Sequence, residues 1–152
     1  RAQGRRRGDN RRMPKTPKFY TSLFAGLMVA LAAGAVWSLV ALMLRNDAPW
    51  MAIPLALVGA IAAGFVPVRH AWGRAAWAAL LTLAGIAYAQ FLHAANVISI
   101  ALGTPLRDTL AAIGTEMAFA LSVARISRVG AIAIAIAPIL AAALAWHRAR
   151  RA

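Results

Sequence analysis

The chain has 152 residues, 62% of them apolar and 14% charged, with 17 Lys and Arg against four Asp and Glu, and no cysteine. That apolar share lies above the ~45–50% of ordinary globular chains and points to a protein whose outer surface meets lipid. The missing thiols exclude disulfides, thiolate nucleophiles, thiolate-held clusters and c-type haem attachment. The scattered carboxylates Asp9, Asp47, Asp108 and Glu116 offer neither a catalytic pair nor a cage for a hard cation.

Residues 1–18, RAQGRRRGDNRRMPKTPK, hold eight of the 17 basic residues, broken by Gly and Pro. Few apolar side chains and many like charges leave such a segment without a core, so it is expected to be disordered. Its expected partner is the anionic lipid headgroup layer, at about 1 kcal/mol per basic residue, ahead of an acidic protein. Nucleic acid is not expected, because the positive charge is gathered beside an apolar run rather than spread over a surface.

Residues 19–44 carry no charge. At ~1.5 Å per residue they reach about 39 Å, enough to cross a ~30 Å hydrocarbon core with tilt. A signal-peptide core is shorter, at ~7–15 residues, so this run is read as a retained first span. The opening residue is Arg rather than Met, as expected of a processed or partial chain.

The turn RNDAPW follows, and a second span is expected over residues 51–68. Pro54 falls in its first turn and Pro67 at its exit, where a missing N–H is tolerated. The polar run VRHAWGR then connects to a third span over residues 75–97. Beyond it, Gly103, Thr104 and Pro105 read as helix stop, N-cap and first helical residue. Leu106, Leu110, Ile113, Met117, Leu121 and Ala124 recur at helical spacing opposite Arg107, Asp108, Thr115, Ser122 and Arg125. Residues 105–126 are therefore expected to form a short amphipathic helix at the interface.

The fourth span is expected over residues 129–146, with Pro138 kinking it, before a basic cytoplasmic end at 148–152. Its AIAIAIA alternation has no polar face, and a lone strand cannot satisfy its backbone in lipid. With four spans and the N-terminus in the cytoplasm, 13 basic residues fall on the cytoplasmic side. Arg45, Arg107, Arg125 and Arg128 fall on the other, which follows the positive-inside rule with both termini cytoplasmic. Trp50, Trp72, Trp77, Trp146 and Tyr20 sit near span ends and read as interfacial anchors.

Small residues recur every fourth position as Gly26, Ala30, Gly34 and Ser38 on the first span, and as Ala52, Ala56, Ala60 and Gly64 on the second. Each series lines one helix face, where backbones can approach closely, either within the chain or against another subunit.

Gln90, His93 and Asn96, with Thr82 below them, place polar groups along the third span within the stretch AQFLHAANVISIALGTPLRDTL. Such groups need partners away from lipid. Interhelical hydrogen bonding is the expected use. A polar pocket for a lipid headgroup, quinone or small solute is one alternative, and a haem ligand at His93 another. On this topology His93 lies opposite His70 and His147, so it cannot share a haem with either. Glu116 is the one carboxylate inside an apolar-periodic segment, which makes it the candidate titrating or Arg-paired group. No metal site is expected, and no phosphate loop, dinucleotide fingerprint, zinc-protease helix or nucleophile elbow is present.

The expected fold is an all-α integral membrane protein of four transmembrane helices plus one interfacial helix between the third and fourth. In architecture it resembles small, Ala-rich, four-span inner-membrane proteins of bacteria, and the resemblance carries no catalytic motif. The function expected from these features is a non-enzymatic accessory or assembly subunit of a larger inner-membrane complex, whose partners are other membrane subunits. A small oligomeric transporter or channel is the first alternative. A redox or lipid- and quinone-binding component using the polar side of the third span is the second.

Overall fold

The computed structural model describes residues 17–45, 48–68, 70–112, 114, 117, 120, 124 and 127–151, with the backbone alone at 17–19 and 110. Every regular element among the described residues is helical. The basic tail before residue 17 lies outside them, as do Glu116 and Arg125.

Helix α1 (Pro17–Leu44) is 28 residues long. It ends at Arg45, which adopts a left-handed φ of 50°. Its amide donates to the Leu42 carbonyl over 3.2 Å, so Arg45 occupies the terminating position that Gly usually fills. Helix α2 (Ala52–Ala62) has a 3-10 turn at each end, Pro49–Met51 and Ala63–Phe65. Pro49 starts the first turn, where no N–H is needed. Pro67 forces the residue before it out of helical geometry, and Val66 is extended at φ −79°, ψ 126°. The second apolar helix is thus Pro49–Phe65 rather than 51–68.

Helix α3 (Ala71–Leu102) is 32 residues long, about 48 Å, and overruns the expected 75–97 at both ends. At its start the His70 carbonyl accepts the Arg74 amide over 3.1 Å, and the Arg74 guanidinium reaches back to the Val68 carbonyl at 3.4 Å. The basic residue that reads as connection is therefore already helical. At its far end Gly103 takes the expected left-handed conformation, φ 64°.

A short helix α4 (Leu106–Ala112) follows, seven residues long. The rest of the expected 105–126 helix lies mostly outside the described residues. Helix α5 (Arg128–Arg151) begins directly after Ser127, whose Oγ accepts the Gly130 amide at 3.0 Å, a side-chain N-cap. The helix continues through Pro138.

The packing order follows from the contacts. α2 and α3 touch each other and both touch α1 and α5, while α1 and α5 make at most marginal contact. The α2–α3 pair is therefore central, with α1 and α5 on either side. Gly26 lies against Ala62 and Leu81, and Gly34 against Gly85 and Ala89, so α1 and α3 run parallel. Gly59 faces Ala78 and Thr82 while Leu55 faces Gly85, so α2 runs antiparallel to them. Trp72 meets Trp146, which makes α5 antiparallel to α3 as well.

The core is small and the exterior large, the reverse of a soluble bundle. Ala56, Ala62, Ala63, Ala78, Ala95 and Ala141 are fully buried, whereas Phe24, Val36, Leu39, Ile53, Leu80 and Ile139 are more than half exposed. Water would expel that surface as an extended apolar patch. Lipid accepts it, and small interior residues then give the close backbone approach that holds helices together there. Three helices, α1, α3 and α5, are long and apolar enough to cross a membrane, and a shorter apolar helix, Pro49–Phe65, accompanies them.

Candidate functional site

The polar groups of α3 do not form one straight stripe. A three-residue step falls about 60° short of a full helical turn, so Gln90, His93 and Asn96 fan over roughly 120° of the helix surface. Asn96 faces α1, where its Nδ2 donates to Ser38 Oγ at 3.3 Å. This bond joins one of the expected polar residues to one of the expected small ones. Ser38 is buried and leaves α1 narrow enough for the amide to reach across. Gln90 and His93 are half-buried on the preceding turns, and each engages in an interaction of its own. Thr82, fully buried, donates its hydroxyl to the Ala78 carbonyl one turn back at 2.8 Å, satisfying itself within the helix.

Beyond Asn96 the chain turns through a hydrogen-bonded elbow. Ser99 Oγ donates to the Thr104 carbonyl at 2.6 Å, and the Thr104 amide donates to the Ser99 carbonyl at 3.1 Å. Thr109 donates its hydroxyl to the Pro105 carbonyl at 3.2 Å, so in the 2.8 Å contact between the two threonine hydroxyls it accepts from Thr104. The Pro105 carbonyl also receives the Asp108 and Thr109 amides. Pro105 is thus the boundary residue of α4. The expected N-cap, Thr104, instead spends its hydroxyl on Thr109, which is buried. Arg107 and Asp108 are exposed.

At the opposite end of the bundle, the Trp72 and Trp146 rings meet edge-on, with centroids 4.4 Å apart and planes at 67°. The Arg150 guanidinium lies 4.6 Å from the Trp146 ring centre. His70 and His147 are exposed at this end, well away from His93. Among the described residues, no three His, Asp or Glu side chains gather into a metal-ligand set. Trp50 and Tyr20 are exposed as anchors would be. Trp77 is not: with α3 starting at Ala71, it lies in the second turn and packs against the core.

Of the first small-residue series, Gly26, Ala30, Gly34 and Ser38 are all buried inside the chain. Ala52, Ala56 and Ala60 of the second are buried likewise. Gly64 departs from it: it is exposed in the closing 3-10 turn, and an added Cβ would meet nothing within 4 Å. The change from 3.6 to about 3 residues per turn rotates it off the packing face. A third series, Ala137, Ala141 and Ala145 on α5, is also buried. Its period of four was present in the sequence but masked by the alternation of Ala with Ile before Pro138. No protein-family model, curated protein or solved structure matches the chain.

Proposed function

We propose that the chain is a four-span, non-enzymatic accessory or assembly subunit of a larger complex in a bacterial inner membrane, with both termini in the cytoplasm. Support for a fourth span comes from Pro49–Phe65. Its 3-10 turns stretch it to about 28 Å, close to a ~30 Å core, and a few ångströms of mismatch cost little. Its outward residues Ile53, Leu57, Ile61 and Phe65 are as exposed as those of the longer helices.

The accessory reading is carried by one observation: the polar pair that bridges two helices of the bundle is spent on joining them. Asn96 of α3 bonds Ser38 of α1, while Thr82 turns its hydroxyl back onto its own helix. A transport path needs polar groups turned toward a continuous channel, and an enzyme needs a reactive pair. A bundle whose polar groups are used for cohesion suits a scaffold. Its broad apolar exterior and the elbow that fixes α4 then provide surfaces for other membrane subunits, with anionic lipid at the basic tail.

The test is mild-detergent or nanodisc purification from native membranes, followed by mass spectrometry of the native-size species. Stoichiometric recovery with other membrane subunits is the expected outcome. Recovery alone or as a homo-oligomer, together with solute flux in vesicles, would replace this reading with the oligomeric transporter.

A further inference from the structure

The end of the bundle where α3 begins and α5 finishes has an arrangement that cohesion between helices does not use up. Trp146 lies near the C-terminus of α5, against Trp72 from the first turn of α3, and Arg150, one turn further on, lies over the Trp146 ring. Trp72 is 77% exposed, and Arg148, Arg150 and Arg151, all in the last turn of α5, are exposed as well. Among the described residues the Arg150 guanidinium makes this ring contact but no hydrogen bond, and neither indole N–H donates to the protein. The single described carboxylate, Asp108, belongs to α4 past the opposite end of α3.

We propose that Trp72, Trp146 and Arg150 form a binding site for the phosphate headgroup of an anionic phospholipid. The inference rests on the membrane-spanning reading, which puts the last turn of α5 at a lipid–water boundary. Three features converge on this ligand. All the open polar groups are donors, five on the guanidinium and one on each indole, so the ligand must accept. The guanidinium fork matches two phosphate oxygens, and contact with the ring orders it before the ligand arrives. Three arginines without a nearby described carboxylate favour a net anion over a zwitterion. Indoles at this level also lie alongside the glycerol and upper acyl region, which a soluble phosphate lacks.

Native mass spectrometry of the full chain released from nanodiscs of equal phosphatidylcholine and phosphatidylglycerol tests this. The wild-type chain is expected to retain phosphatidylglycerol preferentially. Arg150→Gln and Trp146→Leu are each expected to lower that preference roughly fivefold. Arg107→Gln removes an equal charge at the opposite end and is expected to leave it unchanged. Arg150 is exposed, so its variant should keep its helical circular dichroism. Equal effects of Arg150→Gln and Arg107→Gln would overturn the site in favour of bulk electrostatics, as would an unaltered preference in Trp146→Leu. Carbonate-resistant association of the wild-type chain with neutral phosphatidylcholine vesicles separates the two levels of failure. Its absence would overturn the membrane reading together with the site, whereas insertion without lipid preference would overturn the site alone.

Discussion

Asn96 and Ser38, 58 positions apart in the sequence, are joined by a 3.3 Å hydrogen bond from the amide of α3 to the hydroxyl of α1. In the proposed membrane setting lipid supplies no competing water, so deleting one partner leaves the other without its bond, although the unfolded chain in a membrane also finds substitutes. Interhelical bonds in membranes therefore contribute about 0.6 kcal/mol on average and up to ~1.7. Ser38→Ala and Asn96→Ala should each destabilise the chain in a detergent unfolding titration, with a coupling of about 0.5–1 kcal/mol in the double-mutant cycle. Strict additivity would show that the two side chains act independently.

Gly34 and Gly64 belong to small-residue series of the same period, yet only Gly34 should suffer from an added methyl group. A Cβ at Gly34 would press on the Gly85 carbonyl group and come within 3.4 Å of the Ala89 nitrogen, backbone atoms that cannot rotate away. Overpacking of this kind costs about 1–3 kcal/mol, more than the ~1 kcal/mol by which Ala favours a helix over Gly. Gly34→Ala should therefore lower the unfolding midpoint. Gly64→Ala should shift stability by no more than about 0.5 kcal/mol. Equal losses at both sites would contradict the close approach of α1 and α3.

These two glycines also mark what the sequence could reveal. Helix type, the Gly103 stop and most of the small-residue faces follow from local pattern, because period and turn chemistry are properties of neighbouring residues. The exit of Gly64 from its face depends on a 3-10 turn imposed by Pro67 three residues later, a coupling that a period-four count ignores. Arg74 reads as connection because it is charged, but its carbonyl partner at Val68 lets the helix begin before it. Asn96 announces its need for a partner without naming Ser38. The Trp72–Trp146 contact links residues 74 apart, and sequence alone makes each an ordinary interfacial aromatic.

The elbow after α3 should depend on Thr109 more than its position in a seven-residue helix suggests. Thr109→Val keeps the shape of the buried side chain while removing its bond to the Pro105 carbonyl and the contact with Thr104. A net hydrogen bond contributes about 0.5–1.5 kcal/mol, so amide exchange across Leu106–Ala112 should accelerate roughly two- to tenfold. Exchange within α3 before Asn96 should be unaffected. Unchanged exchange across α4 would mean that the Ser99–Thr104 pair alone holds the elbow.

The proposed fourth span yields a prediction that the absence of cysteine makes easy to read, because every introduced thiol is unique in the chain. Arg45, His70, Arg107 and Arg151 are exposed and lie at the ends of described helices. If Pro49–Phe65 crosses the membrane, Arg45→Cys and His70→Cys face opposite compartments. His70→Cys then shares a side with Arg151→Cys, and Arg45→Cys with Arg107→Cys. Labelling by a membrane-impermeant maleimide, in sealed vesicles of known orientation, should divide the four variants two and two. The alternative is equally definite. A shorter helix that only dips into one leaflet would return His70 to the side of Arg45, and the two would label together. The contacts of Gly59 with Ala78 and Thr82, and of Leu55 with Gly85, run along the middle of α3. They set Pro49–Phe65 alongside the middle of α3, which is why the divided pattern is the one expected.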